Sequence, residues 1–123
     1  MGNKTMDICN SLDIISARMA VRQLARTVGL RTMDQARIAL ATSSLAQAMG
    51  MDNGHKGQVD IESCTKSECV GVKVVCTANV GEDEDTPRFG DARWMVDDYE
   101  IVRISPVQLR ATIVKWINGR SGG

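Results

Sequence analysis

The amino-acid sequence predicts an α+β fold, a two-layer sandwich whose helices pack on one face of a mixed, mostly antiparallel sheet. Three observations predict it. Residues 13–49 hold two consecutive runs with apolar residues at three-to-four spacing, the pattern of amphipathic helices that must bury one face. Residues 58–63, 70–76, 99–104 and 108–117 alternate between apolar and polar side chains, the period of a strand. The order strand, helix, helix, strand, strand, short helix, strand, strand lacks the regular alternation of a parallel sheet and suits helices gathered on one side.

Each element has a local cause. Met6 to Cys9 reads as a short first strand, and Asn10, Ser11 and Asp13 offer capping oxygens to the helix that follows. That helix runs to Val28 with Ile14, Ala17, Val21, Leu24 and Val28 as its buried stripe, and Gly29 stands where a left-handed stop is usual. Arg18, Arg22 and Arg26 recur every four residues, which places three guanidinium groups along a second face as a local positive ridge. The second helix, Thr32 to Gly50, opens with Thr32 and Gln35 at capping-box spacing and has Ile38, Ala41, Leu45 and Ala48 as its apolar stripe. Its other face carries Thr42, Ser43, Ser44 and Gln47, small polar residues. After a glycine-rich turn at residues 52–57, Gln58 to Ser63 and Val70 to Cys76 read as strands, with residues 65–69 as the loop between them. Residues 77–90 read as a surface loop around the acidic run 82–85. Asp91 can cap a short helix, Ala92 to Val96, ahead of the strand Tyr99 to Ile104. Ser105-Pro106 then turns the chain into Gln108 to Ile117, where Leu109, Ala111, Ile113 and Lys115 share one face. A single domain spanning residues 1–123 is expected, with a flexible tail at 118–123.

Composition narrows the function classes. The hydrophobic share of 43% and the charged share of 24% are those of a folded globular chain. Lys plus Arg and Asp plus Glu are balanced at 15 each, so no global field draws the chain to nucleic acid or to an anionic membrane. No apolar run reaches membrane-spanning length and the first residues lack a signal-peptide core, which sets the expectation of a cytoplasmic protein. The four cysteines form no Cys-x-x-Cys pair and there is one histidine, so reduced thiols, no metal site and no cofactor are expected. The acidic run lacks calcium-loop spacing and reads as solvated charge.

Several stretches carry a family resemblance. Residues 13–18 (DIISAR), 24–30 (LARTVGL) and 34–39 (DQARIA), with the strand VKVV at 72–75, resemble the anti-sigma-factor switch kinases of the RsbT and RsbW type, which belong to the GHKL (Bergerat-fold) ATPases. Residues 94–101 (WMVDDYEI) and 114–117 (VKWI) look like the closing helix and last two strands of that family. The resemblance covers nearly the whole chain and implies a truncated Bergerat, histidine-kinase-ATPase-like fold. It also implies where catalytic groups would lie. The family's general base falls on Ser44, its magnesium-binding Asn on Ala48 and its adenine-reading Asp on Ala78, with Gly81 the glycine kept nearby. Serine does not titrate near neutral pH, and alanine offers a hard cation no oxygen. The family's glycine-rich lid is replaced by residues 87–90 (PRFG) beside the acidic run.

These departures set the expectation of a pseudokinase with no catalytic residues. Its role would be a binding module of a bacterial partner-switching pathway, with a STAS-type antagonist, a sigma factor or a regulatory phosphatase as partner. The residues expected to bind that partner are Arg18, Arg22, Arg26, Thr42, Ser43, Ser44 and Gln47. Two alternatives differ in class. One is a divergent ATP-dependent Ser/Thr kinase using substitute ligands such as Asp52, Asn53 or Glu82. The other is a homo-oligomer, a homodimer included, anchored by Trp94, Met95 and Trp116.

Overall fold

A computed structural model describes residues 3–51, 55–81 and 90–117. Five strands, β1 (Lys4–Ile8), β2 (Gly57–Lys66), β3 (Cys69–Asn79), β4 (Asp98–Ser105) and β5 (Gln108–Trp116), form one sheet in the order β1-β2-β3-β5-β4. All four pairings are antiparallel. Two helices, α1 (Ser11–Val28) and α2 (Thr32–Ala48), pack together and against one face of that sheet. The two-layer α+β prediction holds. The tail at 118–123 and the acidic run at 82–85 lie outside the described residues.

Helix boundaries follow from caps. The Asn10 side chain accepts the Asp13 amide at 3.0 Å, which satisfies one orphan donor of the first turn, and the Asp13 side chain in return accepts the amide of Cys9, just ahead of the helix, at 2.8 Å. At the other end Gly29 takes φ 100°, and the amides of Gly29 and Leu30 return to Arg26 and Ala25. This left-handed stop suits a residue without Cβ. The second cap differs from the expected box: Thr32 is already helical, Arg31 is the capping residue without a side-chain bond, and Gln35 Nε2 donates to the Leu30 carbonyl at 2.9 Å. Gln35 does reach back, to an acceptor in place of an amide.

The core lies between the layers. Ile14, Ala17, Val21 and Leu24 of α1 and Ile38, Ala41 and Leu45 of α2 meet Val59, Ile61, Val72, Val74, Leu109 and Ile113 of the sheet. Each large apolar side chain removed from water contributes roughly 1.5–3 kcal/mol. Ala48, expected in the α2 stripe, is exposed, and Met49 is buried in its place. Four residues after Leu45 return closer to the same face than three do. The predicted hairpin loop at 65–69 is tighter than expected. Strands continue to Lys66 and from Cys69, and Ser67 and Glu68 turn the chain with φ 49° and 70°. The short helix Ala92 to Val96 is a 3₁₀ turn at Gly90–Trp94.

Among the described residues, Lys115 is the one charged side chain that the strand alternation sends inward among apolar neighbours. Its Nζ lies 3.2 Å from Asp97 and 3.6 Å from Asp34, and the three side chains are only 11–13% exposed. Asp97 also accepts the Trp116 amide at 2.8 Å, and the Trp116 indole donates to Asp98 at 2.7 Å. One cluster thus fastens the first turn of α2, the start of β4 and the end of β5. Of the three residues expected as oligomer anchors, Trp116 is buried by this network, Met95 is half-buried against the core, and Trp94 is exposed beneath Arg93 at 4.6 Å.

All four cysteines are free thiols; Cys9 and Cys69 are exposed, Cys64 is half-buried and Cys76 is buried. Burial raises the Cys64 thiol against a lowering by Lys73, and pushes the Cys76 thiol up to about 12, with Asp60 adding to the rise. In the native protein Cys9 and Cys69 are expected to react first with a disulfide reagent, and Cys76 only on unfolding. Because the folded Cys76 keeps its proton to about pH 12 while an unperturbed thiol ionises near 9.0, its contribution to stability is fully present below pH 9. It is lost as pH rises from there. Urea midpoints measured on either side of pH 9 should fall more in the native sequence than in Cys76→Val; equal falls would refute the assignment.

Candidate functional site

The outward side of the helical layer carries the most distinctive surface. On α1, Leu12, Ile15 and Met19 sit outward at three-to-four spacing, beside Arg22 and Arg26, which are exposed, and Arg18, which is half-buried. On α2, Met33 and Leu40 are likewise exposed. Between the helices runs a groove of about 330 Å³ lined by Arg18, Met19, Arg22, Ala36, Ala39 and Leu40. Alanines at 36 and 39 create it, because small side chains there leave a gap that larger ones would close.

The expected partner-binding residues fall into two groups. Arg18 and Arg22 line the groove itself, and Arg26 continues the same row one turn on. Ser43 and Gln47, four and eight residues after Ala39, continue that side of α2, and Ser44 follows Leu40 by one turn. Ser43 donates to the Leu40 carbonyl at 3.1 Å. Thr42 is apart from them: it is fully buried and donates to the Ile38 carbonyl at 2.8 Å. The sequence reading missed Leu12, Ile15, Met19, Met33 and Leu40. The signal for Leu12, Ile15 and Met19 was a second apolar stripe on α1, on the side opposite the core, and Met33 and Leu40 share one side of α2 in the same way.

The surface is also electrostatically one-sided. Five arginines lie between residues 11 and 48, at 18, 22, 26, 31 and 37, against two acids, Asp13 and Asp34. Both acids are engaged, Asp13 with the Cys9 amide and Asp34 with Arg37 and Lys115. Among the described residues, Arg18, Arg22 and Arg26 have no carboxylate partner.

The positions carried over as catalytic are scattered in environment. Ser44 is half-buried, Ala48 exposed and Ala78 buried in the core with Met49, Met51 and Val80. Among the described residues no three His, Cys, Asp or Glu side chains gather as a cation site. No helix among the described residues is long and apolar enough to cross a membrane.

Fold and surface together define an α+β domain of two helices on an antiparallel sheet, with a cationic groove on its helical side. No family model matches the chain. The chain is similar to the serine/threonine-protein kinase RsbT of Bacillus subtilis (strain 168), with 33% identity over 91 residues. The match covers 74% of this chain and 63% of the relative, so the chain spans less than two thirds of that protein's length. The similarity supports a relation to the switch kinases.

It also corrects the expectation of a non-catalytic protein. The relative is named a kinase, which points toward kinase activity, and nothing in the structure shows a loss of catalysis. The expectation rested on three single positions, Ser44, Ala48 and Ala78, together with the lid segment at 87–90, of which residues 87–89 lie outside the described residues. Phosphoryl transfer depends on how charges are positioned around the phosphates, which substitutions at three points do not decide. Asp52, Asn53 and Glu82, the oxygen-bearing residues named for the alternative, lie outside the described residues.

Proposed function

We propose that this protein is an ATP-dependent serine/threonine protein kinase of a bacterial partner-switching pathway, acting in the cytoplasm on a STAS-type antagonist. A sigma factor or a regulatory phosphatase would be the competing partner. The observation that carries this reading is the 33% identity over 91 residues to a protein named a serine/threonine-protein kinase. The transfer moves the γ-phosphoryl group of ATP to a serine or threonine hydroxyl and releases ADP, a reaction driven mainly by positioning and by stabilisation of phosphate charge. Arg18, Arg22 and Arg26, with Ser43, Ser44 and Gln47, hold the protein substrate, and Thr42 supports that surface from within.

The test is incubation of the purified chain with magnesium, γ-labelled ATP and a purified STAS-type antagonist, followed by phosphoamino-acid analysis. Label on serine or threonine is expected. An antagonist that binds the chain measurably yet stays unlabelled through prolonged incubation would exclude the reading.

A further inference from the structure

We infer that the groove between α1 and α2 is a docking site for an amphipathic helix of a partner protein, one whose apolar stripe is flanked by acidic residues four positions apart. The inference rests on the proposed action on a protein partner and specifies how that partner is gripped. Apolar exposure is its first support. Leu12 is 73%, Met19 66% and Met33 63% exposed, and with Ile15 and Leu40 they occupy one side of the helical layer. Large apolar side chains clustered this way on a soluble surface mark an interaction site. Methionine suits such a site because its unbranched, polarisable chain adapts to the partner.

Shape selects a helix. A groove between two packed helices, floored by Ala36 and Ala39 and rimmed by Met19 and Leu40, accepts a ridge of side chains spaced three and four apart, as one helix offers another. Charge selects its flanks. Arg18, Arg22 and Arg26 recur every four residues, which is about 6 Å along a helix axis, and Asp or Glu at the same interval on a partner helix repeats at that distance. Each pair gains from the guanidinium fork meeting a carboxylate at an interface that excludes water.

The same row argues against a second copy. Two such faces brought together about a twofold axis would gather both arginine rows into one interface, because an isologous contact uses the same patch twice and each face brings only Asp13 and Asp34, both already engaged. A flat lipid surface would leave the concavity unfilled.

The experiment uses the full chain and a labelled synthetic helical peptide with Leu on one stripe and Glu at every fourth position beside it. A second peptide carries Lys for Glu. The Glu peptide should bind saturably, with affinity falling at high salt and dropping roughly tenfold or more in Met19→Glu and in Arg18→Glu/Arg22→Glu. The Lys peptide should gain what the Glu peptide loses in the doubly reversed variant. Met19 is exposed, so circular dichroism should confirm an unchanged fold. Failure of the Glu peptide to bind, or equal binding by the variants, would overturn the inference. So would preferential binding to phosphatidylglycerol vesicles that is lost in Met19→Glu, or a solution mass halved by that substitution. A Met19→Glu chain that still binds and labels the antagonist as before overturns the groove and leaves the kinase reading standing. Peptide binding with no label on the antagonist does the reverse.

Discussion

Lys115→Ala is expected to destabilise the protein by about 3 kcal/mol, because removing one partner of a largely buried ion cluster strands the others. Asp34 and Asp97 would then remain about as buried as before, 13% exposed, with the ammonium that lies 3.6 Å from the first and 3.2 Å from the second gone. Arg37 still reaches Asp34 at 3.2 Å, but its own side chain is 47% exposed and it sits in water where a pair is weak. A loss of that size in a domain of this length lowers the melting temperature by roughly 10 °C. Thermal denaturation followed by circular dichroism measures it. The comparison that isolates the cause is Asp34→Asn/Lys115→Met, where an apolar chain replaces the cation and one stranded charge is removed. Its loss should be clearly smaller than that of Lys115→Ala. A Lys115→Ala midpoint within a degree or two of the native one would mean that water already reaches the cluster.

The second large effect concerns Gly71 in β3. A Cβ at that position would lie 2.6 Å from the Lys115 carbonyl and 2.8 Å from Cε3 of Trp116, so both the backbone and the ring of β5 stand in its way. Neither can move cheaply. The carbonyl belongs to the ladder in which Gly71 pairs with Trp116, and the ring is held by its hydrogen bond to Asp98. Glycine inside a strand often marks such a close approach. Gly71→Ala is therefore expected to cost about 2–3 kcal/mol as an overpacked site. It should also loosen the indole: in a Trp94→Phe background, which leaves Trp116 as the sole tryptophan, emission should shift to the red. Unchanged emission together with an unchanged urea midpoint would show that β5 yields without strain.

How much of this was legible in the sequence depends on whether the signal was periodic. The strands around Val59 and Val74 and the stripe Ile14, Ala17, Val21, Leu24 could be read because burial repeats with the backbone. The hairpin loop at 65–69 could be read too, but not its tightness, since Ser67 and Glu68 take positive φ without the Asn or Gly that usually announces a two-residue turn. Lys115 was placed on the inward face by alternation, yet its partners Asp34 and Asp97 come from distant parts of the chain, and no local pattern pairs them. The arginine row was visible at its spacing of four. The groove beside it was not, because it exists only once Ala36 and Ala39 of one helix face Met19 of the other. The three positions read as lost catalytic groups illustrate the opposite hazard, in which a residue-by-residue comparison was made to bear a conclusion about a whole site.

The strand order has a consequence for synthesis. Among the described strands β5 comes last in the chain, yet it lies between β3 and β4, and its ladder to β3 runs from Gly71 and Trp116 to Asn79 and Gln108. A chain growing from its N-terminus must therefore hold one edge of β3 unpaired until Trp116 has emerged. That edge belongs to the most apolar strand of the sheet, with Val72, Val74, Cys76 and Ala78 all destined for burial. Exposed strand edges of this kind are where growing chains meet one another. Shortening the chain ahead of Trp116 would then not trim a rim of the molecule but leave a slot open at its centre.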